Sequence, residues 1–305
     1  MSDTLRVHIS ALEMKNPVML ASGILGSELS SLIRISSVAG AVVSKSVGLE
    51  KREGYKNPAV LNRECSLINA VGLASPGAEV FAEKLRPFHE SYRKCRGDKT
   101  HLIVSLFASN PEEFSSLVDF FPFASAFELN LSCPHAERYG MALGVDGDAV
   151  RECVKAVKRR TEKPVFAKLT PNVTDIVEIG KAAEEGGADG VVAVNTLKAI
   201  AIDIVSRKPV LSNVRGGLSG KAIKGVALRC VWDLYEELEI PVIGCGGITD
   251  WRDAVEFLLA GASAIQVGSA FYYSYRAIEG IVEGLRQYLI EREEKVEDIV
   301  GLAHR

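Results

Sequence analysis

The chain of 305 residues lacks any long apolar segment. No run approaches the roughly 18 apolar residues that a membrane-spanning helix needs. Residues 1–6 contain no apolar stretch of the kind found in signal peptides. The six cysteines include no C-x-x-C pair, which argues against a metal or iron–sulfur site within this chain and against a disulfide framework. These absences predict a soluble, cytoplasmic protein with reduced thiols and no membrane partner.

An excess of one charge sign is also absent, since the formal net charge is -3. Nucleic acid is therefore not expected as a partner, and neither is an anionic membrane surface. No linker rich in proline or glycine divides the chain, and 47% of its residues are hydrophobic. The sequence therefore predicts a single domain over residues 1–305 that can bury a full core.

Short apolar runs alternate with helical patterns along almost the whole chain. This alternation predicts an α/β fold of the (β/α)₈ or TIM-barrel type, preceded by a β-hairpin at residues 5–17. The rival is a doubly wound open sheet, which would carry G-x-G-x-x-G after an early strand, and no such string occurs. The predicted strands are 18–20, 41–43, 101–107, 126–131, 165–169, 190–194, 241–244 and 264–267. The predicted helices are 30–38, 79–93, one opening at Pro111, 148–160, 173–185, 222–238, 250–259 and 277–294.

Two long inserts, residues 47–77 and 195–220, interrupt the alternation directly after a strand. In a barrel the segments after the strands meet at the C-terminal face, where sites are built. Both inserts carry turn and strand signals, and they are predicted to cover a pocket at that face.

Two lysines occur where strands end, Lys45 and Lys168. A lysine that follows a buried strand has no solvated face, and an unpaired buried ammonium is costly, so each is expected to meet an anion. Asn69, Asn130 and Asn195 add neutral donors and acceptors for the edges of a planar polar ring. Carboxylates are scarce at the strand ends, which disfavours divalent metal catalysis. The pattern favours an anionic substrate that is rich in amide groups.

Small residues follow the seventh and eighth predicted strands, as Gly246-Gly247 and Gly268-Ser269. Backbone N–H groups at such turns are free to bind a phosphate, often beside a helix N-terminus. The phosphate belongs either to a substrate or to a cofactor such as FMN.

Cys133 lies in a polar turn directly after the fourth predicted strand, within Glu128-Leu129-Asn130-Leu131-Ser132-Cys133-Pro134-His135. A cysteine in such a place is often only a small core residue. The lysines and asparagines at the neighbouring strand ends favour a reactive thiol instead.

These motifs, in this order, resemble the dihydroorotate dehydrogenase family, FMN-dependent enzymes of pyrimidine synthesis on a (β/α)₈ barrel. The resemblance runs from Asn16-Pro17 to Gly268-Ser269 and rests on residues 44–46, 69–73, 130–134, 168–172, 195–196 and 217–220. Two departures from the family pattern are Ser75 and Ser105, each at a position where an asparagine is expected.

The resemblance implies oxidation of (S)-dihydroorotate to orotate. Cys133 would take the proton from ring carbon C5 while the hydride leaves C6 for flavin N5, and Lys168 would stabilise the negative charge of the reduced flavin. The implied substrate contacts are Lys45, Asn69, Ala70, Val71, Gly72, Leu73, Asn130, Asn195 and Thr196. The implied FMN contacts are Ser22, Lys45, Ser46, Asn130, Lys168, Val194, Gly220, Gly246, Gly247, Gly268 and Ser269.

A cysteine base without a membrane segment resembles the soluble class of the family, in which electrons pass to fumarate or, through a second subunit, to NAD. His135 and residues 139–144 look more like the NAD-linked type. That type implies a partner subunit that carries FAD and a 2Fe-2S cluster, and a homodimer of this chain within a heterotetramer. The fumarate-dependent type and a non-redox phosphate-binding barrel enzyme remain the alternatives.

Overall fold

The computed structural model of the protein describes residues 4–94, 100–131 and 143–305. The strands of these residues are as follows: β1 Val7–Ile9, β2 Leu12–Met14, β3 Val18–Leu20, β4 Ala41–Val43, β5 Val60–Arg63, β6 Ser66–Asn69, β7 His101–Leu106, β8 Ala126–Asn130, β9 Val165–Leu169, β10 Gly190–Ala193, β11 Leu197–Ile200, β12 Ile202–Asp203, β13 Lys208–Pro209, β14 Arg215–Ser219, β15 Val242–Cys245 and β16 Ala262–Val267.

Eight parallel strands close into a barrel in the order β3-β4-β7-β8-β9-β10-β15-β16, and β16 pairs back to β3. Nearly every side chain of these strands is buried, because helices cover the outside of the barrel and side chains fill its inside. The predicted (β/α)₈ barrel is confirmed, with each predicted strand present and its bounds shifted by at most two residues.

The helices also follow the prediction closely. Their bounds are α1 Leu29–Ser36, α2 Ala78–Lys94, α3 Pro111–Leu117, α4 Gly147–Lys158, α5 Ile176–Glu185, α6 Lys224–Glu237, α7 Trp251–Leu259, α8 Ala277–Arg292 and α9 Val296–Ile299. The largest difference is in α5, which begins three residues later than the predicted start at Val173. The Asp175 side chain accepts a hydrogen bond from the Val177 N–H and thereby caps the helix there.

The N-terminal hairpin of β1 and β2 covers the end of the barrel at which the strands begin. The His101 side chain, at the start of β7, lies 2.8 Å from the Glu13 carbonyl oxygen. Gly40 directly precedes β4, and a Cβ there would collide with the Asn16 backbone. Val7, Ile9 and the other inward residues of the hairpin are part of the main core. The predicted hairpin is therefore confirmed, and the opposite end of the barrel stays open for a site.

The two inserts join in one antiparallel sheet of order β11-β14-β6-β5. The central pair joins β14 of the second insert to β6 of the first, with Gly217 opposite Asn69. A separate small core of Ile68, Ala70, Ala201 and Leu211 supports this sheet. The sequence predicted strand signals in each insert but not their pairing, because pairing between segments about 150 residues apart leaves no local signal.

No helix among residues 4–94, 100–131 and 143–305 is long and apolar enough to cross a membrane.

Candidate active site

A cavity of about 970 Å³ lies at the C-terminal ends of the barrel strands and beneath the insert sheet. Its walls include every predicted contact residue for substrate or FMN: Ser22, Lys45, Ser46, Asn69, Ala70, Val71, Gly72, Leu73, Asn130, Lys168, Val194, Asn195, Thr196, Gly220, Gly246, Gly247, Gly268 and Ser269. The predicted base Cys133 lies outside the described residues, as do His135 and residues 139–142. The structure therefore brings together the whole predicted set apart from the thiol.

Glycines that follow β14, β15 and β16 form one end of this cavity. Gly220, Gly246 and Gly247 have φ of +91°, +131° and +77°, a region that L residues with side chains rarely adopt. A Cβ on Gly247 would lie 2.7 Å from Cβ of Lys224, the first residue of α6. The chain therefore passes close to a helix N-terminus at residues without side chains, so that backbone N–H groups can reach a ligand. This arrangement is suited to binding a phosphate.

Lys168 lies inside β9 and is only 5% exposed. It lies within the predicted strand 165–169, one residue before the end of β9, rather than after the strand. The expectation of an anionic partner holds, since Nζ lies 3.5 Å from Oε1 of Glu128 and donates to Oε1 of Gln266 at 2.8 Å. Burial lowers the pKa of Lys168, but the neighbouring Glu128 carboxylate outweighs this effect, so the net shift is upward.

Lys45 is a further cation of the cavity wall, and it has no ion pair with any carboxylate of the described residues. Burial lowers the pKa of its ammonium group. The side chain nevertheless reaches the same cavity as Lys168. An ammonium that is partly desolvated and forms no ion pair with the described residues is a strong point of attraction for an anionic ligand.

The asparagines of the cavity hold one another in fixed orientations. Nδ2 of Asn195 donates to Oδ1 of Asn130 at 3.1 Å, and Nδ2 of Asn130 donates to Oγ of Ser46 at 3.2 Å. The Thr196 N–H donates to Oδ1 of Asn195 at 2.8 Å. Asn69 lies on β6 of the insert sheet and donates from Nδ2 to the Gly217 carbonyl oxygen at 3.4 Å. Donors and acceptors therefore line the cavity from both the barrel and the insert sheet.

Serine hydroxyls connect the asparagines to the barrel interior. Oγ of Ser46 lies 3.1 Å from Oγ of Ser22 and 2.9 Å from Oγ of Ser105. Oγ of Ser105 donates in turn to Oε1 of Glu128 at 3.4 Å. The departure at Ser105 thus keeps a hydrogen-bonding group in this chain. The other departure, Ser75, accepts from the Gly77 N–H at 3.2 Å and lies outside the large cavity.

Sequence reasoning assigned no role to Glu128 or Gln266, which the structure places beside Lys168. Both lie inside barrel strands, with exposures of 0% and 1%. The sequence contained a signal for Glu128, since a charged residue inside an apolar strand almost always has a buried partner. The cavity wall also includes cationic and aromatic residues of the inserts and of the segment after β16 that were not predicted: Tyr55, Lys198, Arg215 and Tyr272.

The described residues contain no group of three or more His, Cys, Asp or Glu side chains placed to hold a metal ion. The reactive groups of the cavity are instead ammonium ions, amides, hydroxyls and backbone N–H groups. Such a set binds anions and planar polar rings.

Comparison with known proteins gives one consistent result. Residues 4–289 match the family model "Dihydroorotate dehydrogenase". Three curated relatives are each named "Dihydroorotate dehydrogenase B (NAD(+)), catalytic subunit". The protein of Archaeoglobus fulgidus is 49% identical over 98% of this chain and 99% of its own. That of Methanocella arvoryzae is 50% identical over 96% of each chain, and that of Pyrococcus abyssi is 52% identical over 98% and 99%.

Proposed function

Because the chain belongs to the dihydroorotate dehydrogenase family, we propose that it is the catalytic subunit of an NAD-linked dihydroorotate dehydrogenase. It oxidises (S)-dihydroorotate to orotate in the de novo synthesis of UMP. The observation that carries this proposal is the ammonium of Lys45, which pairs with no carboxylate of the described residues, in a cavity that also holds Lys168, Asn69, Asn130, Asn195 and the glycine turns. Dihydroorotate presents the matching chemistry, a carboxylate on a ring with two amide edges.

FMN is the cofactor of the proposal, and the donor set of the cavity fits it. The glycine turns beside α6 suit its phosphate, since the close approach of Gly247 to Lys224 at the start of α6 leaves no room for a Cβ and places backbone N–H groups at a helix N-terminus. The Lys168 ammonium supplies a buried cation for the pyrimidine edge of the ring system. Bound FMN supplies the acceptor for the hydride of the substrate. The residues proposed to hold it are Ser22, Lys45, Ser46, Asn130, Lys168, Val194, Gly220, Gly246, Gly247, Gly268 and Ser269.

The substrate contacts are proposed from the same cavity. Lys45 pairs with the carboxylate of dihydroorotate, because it is partly buried and forms no ion pair with a carboxylate of the described residues, whereas Lys198 and Arg215 of the cavity wall are exposed to solvent. The hydrogen bond that Asn195 donates to Asn130 fixes which of their amide atoms remain free to contact the ring. The set is completed by Asn69 at the end of β6, by the segment that follows it, and by Thr196; the residues of that segment are Ala70, Val71, Gly72 and Leu73. The insert sheet that carries Asn69 excludes water from the ring.

Cys133 is proposed as the base that receives at Sγ the proton from ring carbon C5. An ordinary thiol has a pKa of about 8.5, so a thiol near a cation is partly ionised at neutral pH, whereas a hydroxyl is not. Asn130 is the last residue of β8, and Cys133 follows it three residues later in the sequence. The same strand therefore delivers a ring contact and the base.

The route to NAD is proposed to leave this chain. The sequence contains neither a dinucleotide fingerprint nor a cluster-binding cysteine pattern, and the relatives are named as one subunit of an NAD(+) enzyme. The proposal assigns FAD and a 2Fe-2S cluster to a partner subunit and makes this chain a homodimer within a heterotetramer. The free thiols Cys65, Cys153, Cys230 and Cys245 support its cytoplasmic location.

The proposed activity is tested by the visible spectrum of the purified chain supplied with FMN. We expect flavin absorption to remain after gel filtration and to bleach when dihydroorotate is added without oxygen. Dihydrouracil, the same ring without a carboxylate, is the control and should bleach the flavin far more slowly, because it cannot pair with Lys45. Absence of bound flavin would refute the proposal and would point to a non-redox barrel enzyme.

The NAD route is tested with the isolated chain. We expect its reduced flavin to persist when NAD is added without oxygen, because no part of this sequence has the fingerprint that binds a dinucleotide. Addition of the separately purified partner subunit should then give NADH. Rapid reduction of NAD by the isolated chain would contradict the two-subunit proposal, and rapid reduction of fumarate would identify the fumarate-dependent type.

A further inference from the structure

Glu128 is a buried carboxylate to which the proposed reaction assigns no task. It lies in the middle of β8, is 0% exposed and does not contribute to the cavity wall, whereas Lys168 and Gln266 do. Oε2 accepts from Nε2 of Gln266 at 2.6 Å, and Oε1 lies 3.5 Å from Nζ of Lys168. Gln266 in turn accepts from Lys168 at 2.8 Å. The carboxylate, amide and ammonium thus form a closed ring of three groups.

We infer that Glu128 is a positioning residue that, together with the Gln266 amide, keeps Lys168 protonated and holds its ammonium group at the wall of the flavin cavity. The inference rests on the proposed function, since it is there that Lys168 faces a flavin. Its physical basis is that an ammonium group excluded from water loses its proton unless an anion compensates for the lost hydration. Glu128 is the anion that the fold supplies.

Among the described residues, the other groups that surround Lys168 supply no negative charge, so the role of compensating anion falls to Glu128. Lys168 lies on β9, and the neighbouring strand β10, Gly190–Ala193, has no titratable side chain. From β15 comes Cys245, whose pKa is raised by burial, so this thiol carries no charge at neutral pH. From β16 comes Gln266, which is neutral. Glu128 on β8 is therefore the source of negative charge at Lys168 among the described residues.

The test measures the reduction potential of bound FMN from pH 6 to 9 in wild type and in Glu128→Gln. In the variant, we expect Lys168 to lose its proton within this range. A protonated Lys168 stabilises the negative charge of the reduced flavin, so the equilibrium constant for flavin reduction in the variant should fall with rising pH relative to wild type. The expected fall is at least tenfold, which is about 30 mV for a two-electron couple.

A carboxylate swap separates charge from shape. In Glu128→Gln with Gln266→Glu, the carboxylate moves to the position whose oxygen lies 2.8 Å from Nζ of Lys168, and the amide moves to β8. Net charge and side-chain sizes are unchanged. We expect this double variant to show the pH dependence of wild type. If Glu128 had only a structural role, moving the carboxylate to position 266 would not restore the wild-type pH dependence of the potential.

Two outcomes would overturn the inference. One is a Glu128→Gln variant whose potential differs from that of wild type by a constant amount across the pH range. The other is a swap variant that retains the extra pH dependence.

If neither variant folds, the potential of Lys168→Met is compared with wild type. A difference that shrinks as pH rises would show that Lys168 loses its proton despite Glu128 and would also overturn the inference. The flavin is reduced chemically throughout, so a failure of dihydroorotate as substrate is seen separately.

Discussion

Replacement of Cys133 by serine is expected to slow flavin reduction by dihydroorotate by about 10²–10⁴-fold at pH 7, the usual contribution of a general base. A serine hydroxyl is almost fully protonated at this pH, whereas a thiol with a pKa of about 8.5 or lower is partly ionised. The rate of the variant should rise with pH without reaching the plateau expected of wild type. Stopped-flow measurement of flavin bleaching without oxygen gives both the rate and its pH profile.

Cys230→Ser is the matched control for this experiment. Cys230 lies on α6 away from the cavity wall, and burial raises the pKa of its thiol to about 11. This variant should bleach its flavin at the rate of wild type. Both variants should retain FMN, because neither cysteine is among the proposed FMN contacts. Unchanged turnover in Cys133→Ser would place the base elsewhere.

Replacement of Lys168 by methionine is expected to lower the free energy of unfolding by about 3–5 kcal/mol, the usual cost of removing one partner from a buried ion pair. Methionine fills a similar volume, so the loss comes from the uncompensated Glu128 carboxylate rather than from a cavity. In wild type the pKa of Lys168 is raised above its ordinary value of about 10.4. The stabilisation by the pair is thus fully present below that pH and is lost as pH rises through the folded pKa. Urea unfolding at pH 7 measures the difference.

The double variant Lys168→Met with Glu128→Gln separates the lost charge pair from lost flavin binding. Both variants lack the lysine, so any stability lost through weaker FMN binding is common to them. The double variant should regain most of the lost stability, because no buried charge is left without a partner. If it is as unstable as Lys168→Met, Glu128 is not the group that Lys168 compensates.

The sequence predicted the barrel well because its evidence is local. Each barrel strand is a short apolar run, and several helices have their own start signals, such as Asp250, whose side chain caps α7. In a barrel, residues that follow strands must meet at one face, so the contents of the cavity could be predicted from position alone. Lys45, Asn130 and Gly247 reached the predicted cavity for this reason.

What the sequence left open depended on pairings between distant segments. Nothing near Ser66–Asn69 indicates that this strand pairs with Arg215–Ser219, because the hydrogen bonds between them join segments that lie far apart in the sequence. Likewise, Lys168 was recognised as a buried cation in need of an anion, but the anion comes from β8 and the amide from β16.

The sequence by itself determined that eight strands form a barrel and that lysines, asparagines and glycines gather at one end of it. Only the tertiary structure decided which of Lys45 and Lys168 forms an ion pair within the described residues. Lys168 is neutralised by Glu128, whereas Lys45 meets no carboxylate of the described residues. The physical reason is that the energy of a charge depends on the burial and distance of its neighbours, which the order of residues along a chain does not contain.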